Sequence, residues 1–305
     1  MEETLAPSPP KVSAVILSYN TAASLRRCLA ALESSSIREQ MEIVVVDAAS
    51  QDESPRLDVE FPNVAFQRMP RNFGATKALN IGARTALGDH IFFIAPEVEV
   101  GRDTVATLVA RLESDADSAA VCPALFTPAG VPAHELHQLP TPDLLSRAWH
   151  DPDSLPAVEP DLSGGPLNVQ YPSRAALMVR KFNLRGINYL DEKFGQFWAD
   201  ADLCYQILRA GKKIVLLPEA RAIAHPAERL EFNPSGRALL DADSASGAAR
   251  YVSKYFGMLA GLKLTFGAVL YALGQVFTFR DPSFQLSRLT GIISKQKVDG
   301  TQASL

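Results

Sequence analysis

Apolar runs alternate with amphipathic stretches through the first two thirds of the chain. Val12-Ser13-Ala14-Val15-Ile16-Leu17-Ser18-Tyr19 predicts a buried first strand, bounded by Asn20 and Thr21. Thr21 or Ser24 can cap the helix that follows, whose Leu25, Cys28, Leu29 and Leu32 recur on one face. Glu42 to Asp47 predicts a second strand of almost pure β-branched residues ending in a carboxylate. Strands that apolar belong inside sheets covered on both faces. Val64–Met69 and Ile91–Ile94 supply a third and a fourth strand, with a glycine turn and a small-residue helix between them. Strand, helix, strand, repeated, predicts an α/β fold with a doubly wound, mostly parallel sheet flanked by helices.

The pattern changes at Thr127. From there to Leu167 periodicity is poor and proline, aspartate and histidine are frequent, which predicts long loops around a short helix near Leu144–Trp149. Loops of that length inside a compact domain usually bind something or close over it. Ala175–Arg180 restores strand character. A helix is predicted over Leu203–Ala210, stopped by Gly211, then a strand over Lys213–Leu217 closed by Pro218. Tyr251–Phe279 is nearly long enough to span a bilayer, but Lys254, Lys263 and Gln275 interrupt it. The preferred reading is an amphipathic helix lying on a membrane surface, ahead of helices that pack back on the domain or form a dimer. The resulting organisation is a disordered tail over 1–10, a catalytic domain over 11–230 divided at 125/126, C-terminal helices over 231–294 and a flexible tail over 295–305.

Composition narrows the function classes. The chain has 305 residues and a formal net charge of -4, so no basic face argues for nucleic acid. Cys28, Cys122 and Cys204 lack metal-ligand spacing, and sparse cysteine fits a reducing compartment. The acidic, proline-rich start lacks the order of a signal peptide, so a cytoplasmic location is expected, on the inner face of the plasma membrane if the C-terminal helices bind there. There is no G-x-G-x-x-G after the first strand, no P-loop, no G-x-S-x-G elbow and no paired-cysteine zinc site.

Candidate chemistry gathers at the carboxyl ends of the predicted strands, where open α/β sheets hold ligands. Asp47 ends the second strand, and Asp52 follows in Asp47-Ala48-Ala49-Ser50-Gln51-Asp52. Asp47 can accept hydrogen bonds from a ribose or base, or it can cap the next helix. In Asn72-Phe73-Gly74-Ala75-Thr76-Lys77-Ala78-Leu79-Asn80-Ile81-Gly82, Gly74 allows close approach of backbone to ligand, Lys77 can neutralise a diphosphate, and Asn80 can bond the neighbouring loop or a nucleotide. Ala95-Pro96-Glu97-Val98-Glu99 follows the fourth strand. Farther on come Leu190-Asp191-Glu192 and Trp198-Ala199-Asp200-Ala201-Asp202-Leu203, and His225 ends an apolar run.

Taken together over Lys11 to His225, these motifs resemble the family 2 glycosyltransferases of the GT-A fold, with wording around Leu190–Leu203 most similar to rhamnosyltransferase-type members. The resemblance implies a GT-A sheet and transfer of a sugar, with inversion, from a nucleotide-diphosphate donor to a hydroxyl of a saccharide or lipid-linked acceptor, in cell-envelope polysaccharide or glycolipid assembly. It gives Asp200 the role of general base. Ser18, Asn20, Asp47, Asp52, Gly74, Lys77 and Asn80 fall around the donor. Glu97 and His225 fall on a divalent ion, Mg²⁺ or Mn²⁺, that neutralises the departing diphosphate. Glu97 matches the second acid of the family's Asp-x-Asp, and Ala95 replaces the first. Ala48, Ala199 and Gln206 also depart from the family pattern. These departures imply an alternative, a weakened homologue serving as a nucleotide-sugar-binding or membrane-surface scaffold.

Overall fold

A computed structural model of the chain describes residues 9–133, 136–148, 157–172, 174–228, 233–277 and 282–300. His134, His150 and Trp149 lie outside the described residues, as do 1–8 and 301–305 of the two tails. The strands are β1 (Val12–Ser18), β2 (Met41–Asp47), β3 (Ala65–Arg68), β4 (His90–Ile94), β5 (Val98–Val100), β6 (Ser118–Phe126), β7 (Leu136–His137), β8 (Leu167–Val169), β9 (Tyr171–Pro172), β10 (Ala176–Arg180) and β11 (Lys213–Ala224). The α-helices are α1 (Ala22–Glu33), α2 (Ala75–Thr85), α3 (Thr104–Ser114), α4 (Pro142–Ala148), α5 (Lys181–Gly186), α6 (Ala199–Arg209), α7 (Pro234–Phe256), α8 (Met258–Phe277) and α9 (Pro282–Ile293).

The main sheet runs β3-β2-β1-β4-β10-β6-β11-β5, with β8 on the side of β11. Its first half is parallel, β1 pairing with both β2 and β4. Its second half is mixed: β10 lies antiparallel to β4 and β6, and β11 runs parallel to β6 but antiparallel to β5. Alternation along each strand divides the core between the two faces. Phe92 joins Ile16, Ile43 and the Leu25, Leu29 and Leu32 stripe of α1, while Phe93 joins Val15, Leu79 and Ala83 on the α2 side.

Two predicted boundaries move for identifiable reasons. β11 does not stop at Pro218 but runs on to Ala224, because its register with β6 shifts between Leu217 and Arg221. Such an irregularity is where a proline, lacking its N–H, can sit inside a strand. The helix expected at Leu203 begins at Ala199, so Asp200 and Asp202 stand in its first turn rather than ahead of it.

The C-terminal helices form a second layer attached to the first. α7 is capped by the Asn233 side chain, which accepts from the Gly236 N–H at 2.7 Å, and Pro234 occupies its first turn. Its Ala248, Ala249, Tyr251 and Val252 enter the same buried cluster as Leu203, Cys204 and Ile207 of α6, so α7 packs back on the catalytic domain. Gly257, at φ +97°, turns the chain from α7 into α8. α8 and α9 meet α7 through Ala242, Ala245, Ala268, Ala272 and Ile292. By length and composition Met258–Val276 is apolar enough to cross a membrane. Its Met258, Leu259, Leu262, Phe266, Leu270 and Leu273 are exposed.

The expected flexible tail is corrected over residues 295–300. Val298 is buried, its N–H donates to Asp243 at 2.8 Å, and Lys297 Nζ donates to the Glu192 carbonyl at 2.7 Å. This segment lies on the glycine turn. Gly74 has φ +82° and a side chain there would collide with the Val298 carbonyl, while Gly300 rests on Phe73.

Candidate active site

A cleft of about 750 Å³ opens at the carboxyl ends of β1 and β4, and Glu97, Asp200 and His225 all line it. Three elements bring them together. Glu97 sits in the turn between β4 and β5. The pairing of Ala224 with Val98 carries His225 alongside, where its backbone N–H donates to the Glu97 carbonyl at 3.0 Å. Asp200 enters the same cleft from the first turn of α6.

Asp47 ends the neighbouring strand, level with Ser18. It is 2 % exposed; one carboxylate oxygen accepts from the Ser50 N–H at 3.1 Å, and Oδ1 has no partner. Leaving a buried acceptor unmade costs roughly 1–3 kcal/mol, so an orphan at a strand end suits a ligand group that can donate to it. Ser18 and Asn20 shape the same corner. The Ser18 and Thr21 hydroxyls lie 3.1 Å apart, and Asn20, at φ +53°, accepts from Gln51 N–H and donates its own N–H to Ser50 Oγ. Asp52 accepts from the N–H groups of Ala22 and Ser54, both at 2.9 Å, so its carboxylate ties the start of α1 to the β2 loop.

The glycine-turn residues are placed differently. Asn80 is fully buried and its amide is used by the 190–192 loop: it donates to the Leu190 carbonyl and to Glu192, and accepts from the Leu190 N–H. Of its two expected uses, the loop is therefore the one seen. Lys77 is exposed, with its ammonium 4.3 Å from the Phe73 ring centroid, and neither it nor Gly74 lines the cleft. Gly82 serves packing, seated against Val15 and Val46.

Several residues in or beside the cleft escaped the sequence reading. Tyr171 donates a hydrogen bond to Asp200, and burial together with that carboxylate's charge pushes its phenol well above the ordinary value. Gln196 lines the cleft and accepts from the Ala75 N–H at 3.0 Å. Arg174 lines it too, with Nη1 buried and unpartnered among the described residues. Arg174 and Tyr171 lie between the aperiodic stretch and the strand expected from Ala175, where no pattern marks a position as inward.

Asp202 belongs elsewhere. It is 1 % exposed and accepts from Tyr255 Oη at 2.6 Å, Lys254 Nζ at 2.7 Å and Gln206 Nε2 at 2.8 Å. It thus fastens α6 to α7, and Lys254 supplies a cation beside the position where Gln206 stands in place of the family's arginine. Burial alone would lower the Lys254 pKa, but its hydrogen bonds to Asp202 and Asp191 outweigh that and raise it.

A divalent ion can be tested against the donor set. His225 Nε2 lies 2.8 Å from Glu99 Oε2, so Glu99 is engaged with the imidazole. No group of three or more His, Cys, Asp or Glu close enough to hold a metal occurs among the described residues. The residues present therefore offer a pair, Glu97 and His225. That suffices only where ligand phosphates and water complete the shell, as they commonly do for Mg²⁺.

Comparison with known proteins bears on the fold and the family. Residues 13–157 match the model of glycosyl transferase family 2. A curated relative, the low-salt glycan biosynthesis hexosyltransferase Agl10 of Haloferax volcanii, is 22% identical over 236 residues, covering 75% of this chain and 72% of its own. Among solved structures, GalNAc-T7 with UDP, GalNAc and Mn²⁺ superposes with a TM-score of 0.59 at 18% identity over 81% of this chain, which spans about half (48%) of that protein's length. The mannosyltransferase PcManGT of Pyrobaculum calidifontis, in complex with GDP-Man and Mn²⁺, gives 0.53 at 16% identity, over 96% of this chain and 89% of that one. At such identities the structural likeness is one of fold, a GT-A fold, while the match over residues 13–157, just under half of the chain, supports a glycosyltransferase of family 2.

Proposed function

We propose that the cleft carries out inverting transfer of a sugar from a nucleotide-diphosphate donor to a hydroxyl, with Asp200 as general base. The supporting observation is the convergence of Glu97, Asp200 and His225, distant in sequence, on one cleft beside the strand end that holds Asp47. In this reading the orphan Oδ1 of Asp47 accepts from the nucleoside. Asp200, oriented by the Tyr171 hydroxyl, takes the proton of the acceptor as that oxygen attacks the anomeric carbon opposite the diphosphate. Glu97 and His225 would hold a divalent ion whose charge stabilises the departing diphosphate. Both solved neighbours described above contain Mn²⁺ with a nucleotide or nucleotide sugar, which supports that assignment.

The acceptor is a saccharide or lipid-linked saccharide of the cell envelope, reached at a cytoplasmic membrane surface. The apolar face of α8 supports this, as does the charge of its surroundings: residues 244–298 hold seven Lys or Arg and one Asp in a chain of net charge -4. A rhamnosyl donor remains the first to try, on the wording of Leu190–Leu203. Calorimetric titration with UDP-, dTDP- and GDP-sugars in Mn²⁺ tests donor binding. Asp200→Asn should then abolish product while leaving donor affinity within about twofold; full turnover by that variant would exclude Asp200 as the base.

A further inference from the structure

The leaving diphosphate needs positive charge, and the cation expected from the sequence is not in the cleft. Lys77 lies outside it on Phe73, and the metal-binding pair lacks the first acid of the motif, where Ala95 stands. Among the described lining residues Arg174 is the one lysine or arginine. Its position is fixed by the sheet. β10 pairs antiparallel with β4, Ala176 opposite Ile94, and the Ala95 N–H donates to the Ala175 carbonyl at 2.8 Å. Arg174, one residue further back, therefore stands level with the Pro96–Glu97 turn, at the end of the cleft assigned to the diphosphate.

Its surroundings leave the guanidinium available. Nη1 is enclosed and makes no hydrogen bond among the described residues. A buried guanidinium N–H without an acceptor is costly, and a planar fork of donors matches phosphate oxygens two at a time. The absent acid at 95 and the cation at 174 also act in the same direction. The first lowers the negative charge that attracts a metal, and the second adds fixed positive charge where the diphosphate lies.

We infer that Arg174 is a direct cationic contact to the donor's diphosphate, sharing with the metal pair the neutralisation of the leaving group. The inference rests on the donor reading above. Calorimetric titration of UDP, GDP and dTDP into the full chain, in EDTA and in Mn²⁺, tests it with Arg174→Met and Arg174→Lys. Arg174→Met should weaken nucleotide affinity at least tenfold in EDTA and less in Mn²⁺, with Arg174→Lys between it and the parent and all three proteins melting alike. Parent-like affinity of Arg174→Met in both media overturns the inference. So does a loss confined to acceptor KM, which would place the guanidinium on an anionic acceptor group. Failure of the unmutated protein to bind any of the three nucleotides, with or without Mn²⁺, would instead overturn the donor reading and this inference with it.

Discussion

Asp243, in the middle of α7, holds two separate segments with one oxygen. Oδ2 accepts from the Gln196 N–H at 2.9 Å and from the Val298 N–H at 2.8 Å, and the residue is 1 % exposed. Replacing it with alanine strands both donors. The Val298 N–H is buried and costs about 1–3 kcal/mol unpaired, whereas Gln196 is half-buried and can recover part of its bond from water. Against this, burial raises the Asp243 pKa, so removing the carboxylate also removes a desolvated charge. The expected net loss is about 2 kcal/mol, or roughly 3 °C in melting temperature for a chain of 305 residues. The loss should reach the cleft, because Gln196 accepts from the Ala75 N–H and Thr76 Oγ1 donates to the Gly195 carbonyl at 2.7 Å. Donor affinity should therefore weaken several-fold. Because the folded-state pKa is raised, the folded protein binds this proton more tightly than the unfolded chain. The stability Asp243 contributes is full below the ordinary aspartate value and declines as pH rises through the folded value; Asp243→Asn should flatten that decline. Deleting 295–305 removes the same Val298 bond, so combined with Asp243→Ala it should cost about 1 kcal/mol less than the sum of the two. Differential scanning calorimetry over pH 4–8 reads all of this. Full additivity, or an Asp243→Ala variant melting within about 1 °C of the parent, would refute the reasoning.

Three other outcomes can be checked. Gly82→Ala should destabilise despite better helix propensity, because the new Cβ would meet Val15 Cγ1 at 2.6 Å and Val46 Cγ2 at 3.0 Å; overpacking of about 1–3 kcal/mol outweighs a propensity gain near 1, and urea denaturation measures the difference. Lys254→Met leaves the buried Asp202 carboxylate without its cation and should cost about 1–3 kcal/mol, discounted because Lys254 is a third exposed; adding Gln206→Arg should recover part of the loss in the same melt, and no recovery would contradict the role given to Gln206. Phe266, 63 % exposed on α8, should matter for lipid rather than for folding: Phe266→Asp is expected to keep the parent melting temperature and lose sedimentation with anionic vesicles, and unchanged sedimentation would count against the membrane reading.

The parallel half of the sheet was legible because its strands are buried on both faces. Ala14–Leu17 and Ile43–Val46 are unbroken apolar runs within Val12–Ser18 and Met41–Asp47, and the strand ends fall within a residue or two of expectation. The second half was harder, since β8, β9 and β10 pair across a long aperiodic stretch and no local period records which strand will be the neighbour. The same distinction separates site residues. Glu97, Asp200 and His225 stand at the ends of periodic elements, so their meeting could be anticipated from topology. Arg174 reaches the cleft through register with β4, and Tyr171, held by pairing with β7, reaches Asp200 behind it, which only pairing reveals. Asn80 shows the converse: its motif marks it clearly, yet the amide is spent on the 190–192 loop, a contact more than a hundred residues away. Val298 is a similar case, since a polar tail gives no sign that one of its backbone groups has a buried acceptor waiting in α7.

The placement of α7 bears on how this enzyme can be cut and recombined. Tyr251 and Val252 complete the hydrophobic interior that Leu203, Cys204 and Ile207 begin. A fragment ending near residue 230 would carry the whole family signature and still present that raw apolar seam to solvent. Such a fragment should aggregate, and grafting a foreign C-terminal region would transplant part of the interior as well as any anchor. Boundaries for soluble expression or for chimaeras are thus better drawn after Phe256, at the Gly257 turn, with the 295–300 strap supplied in trans or by a short linker.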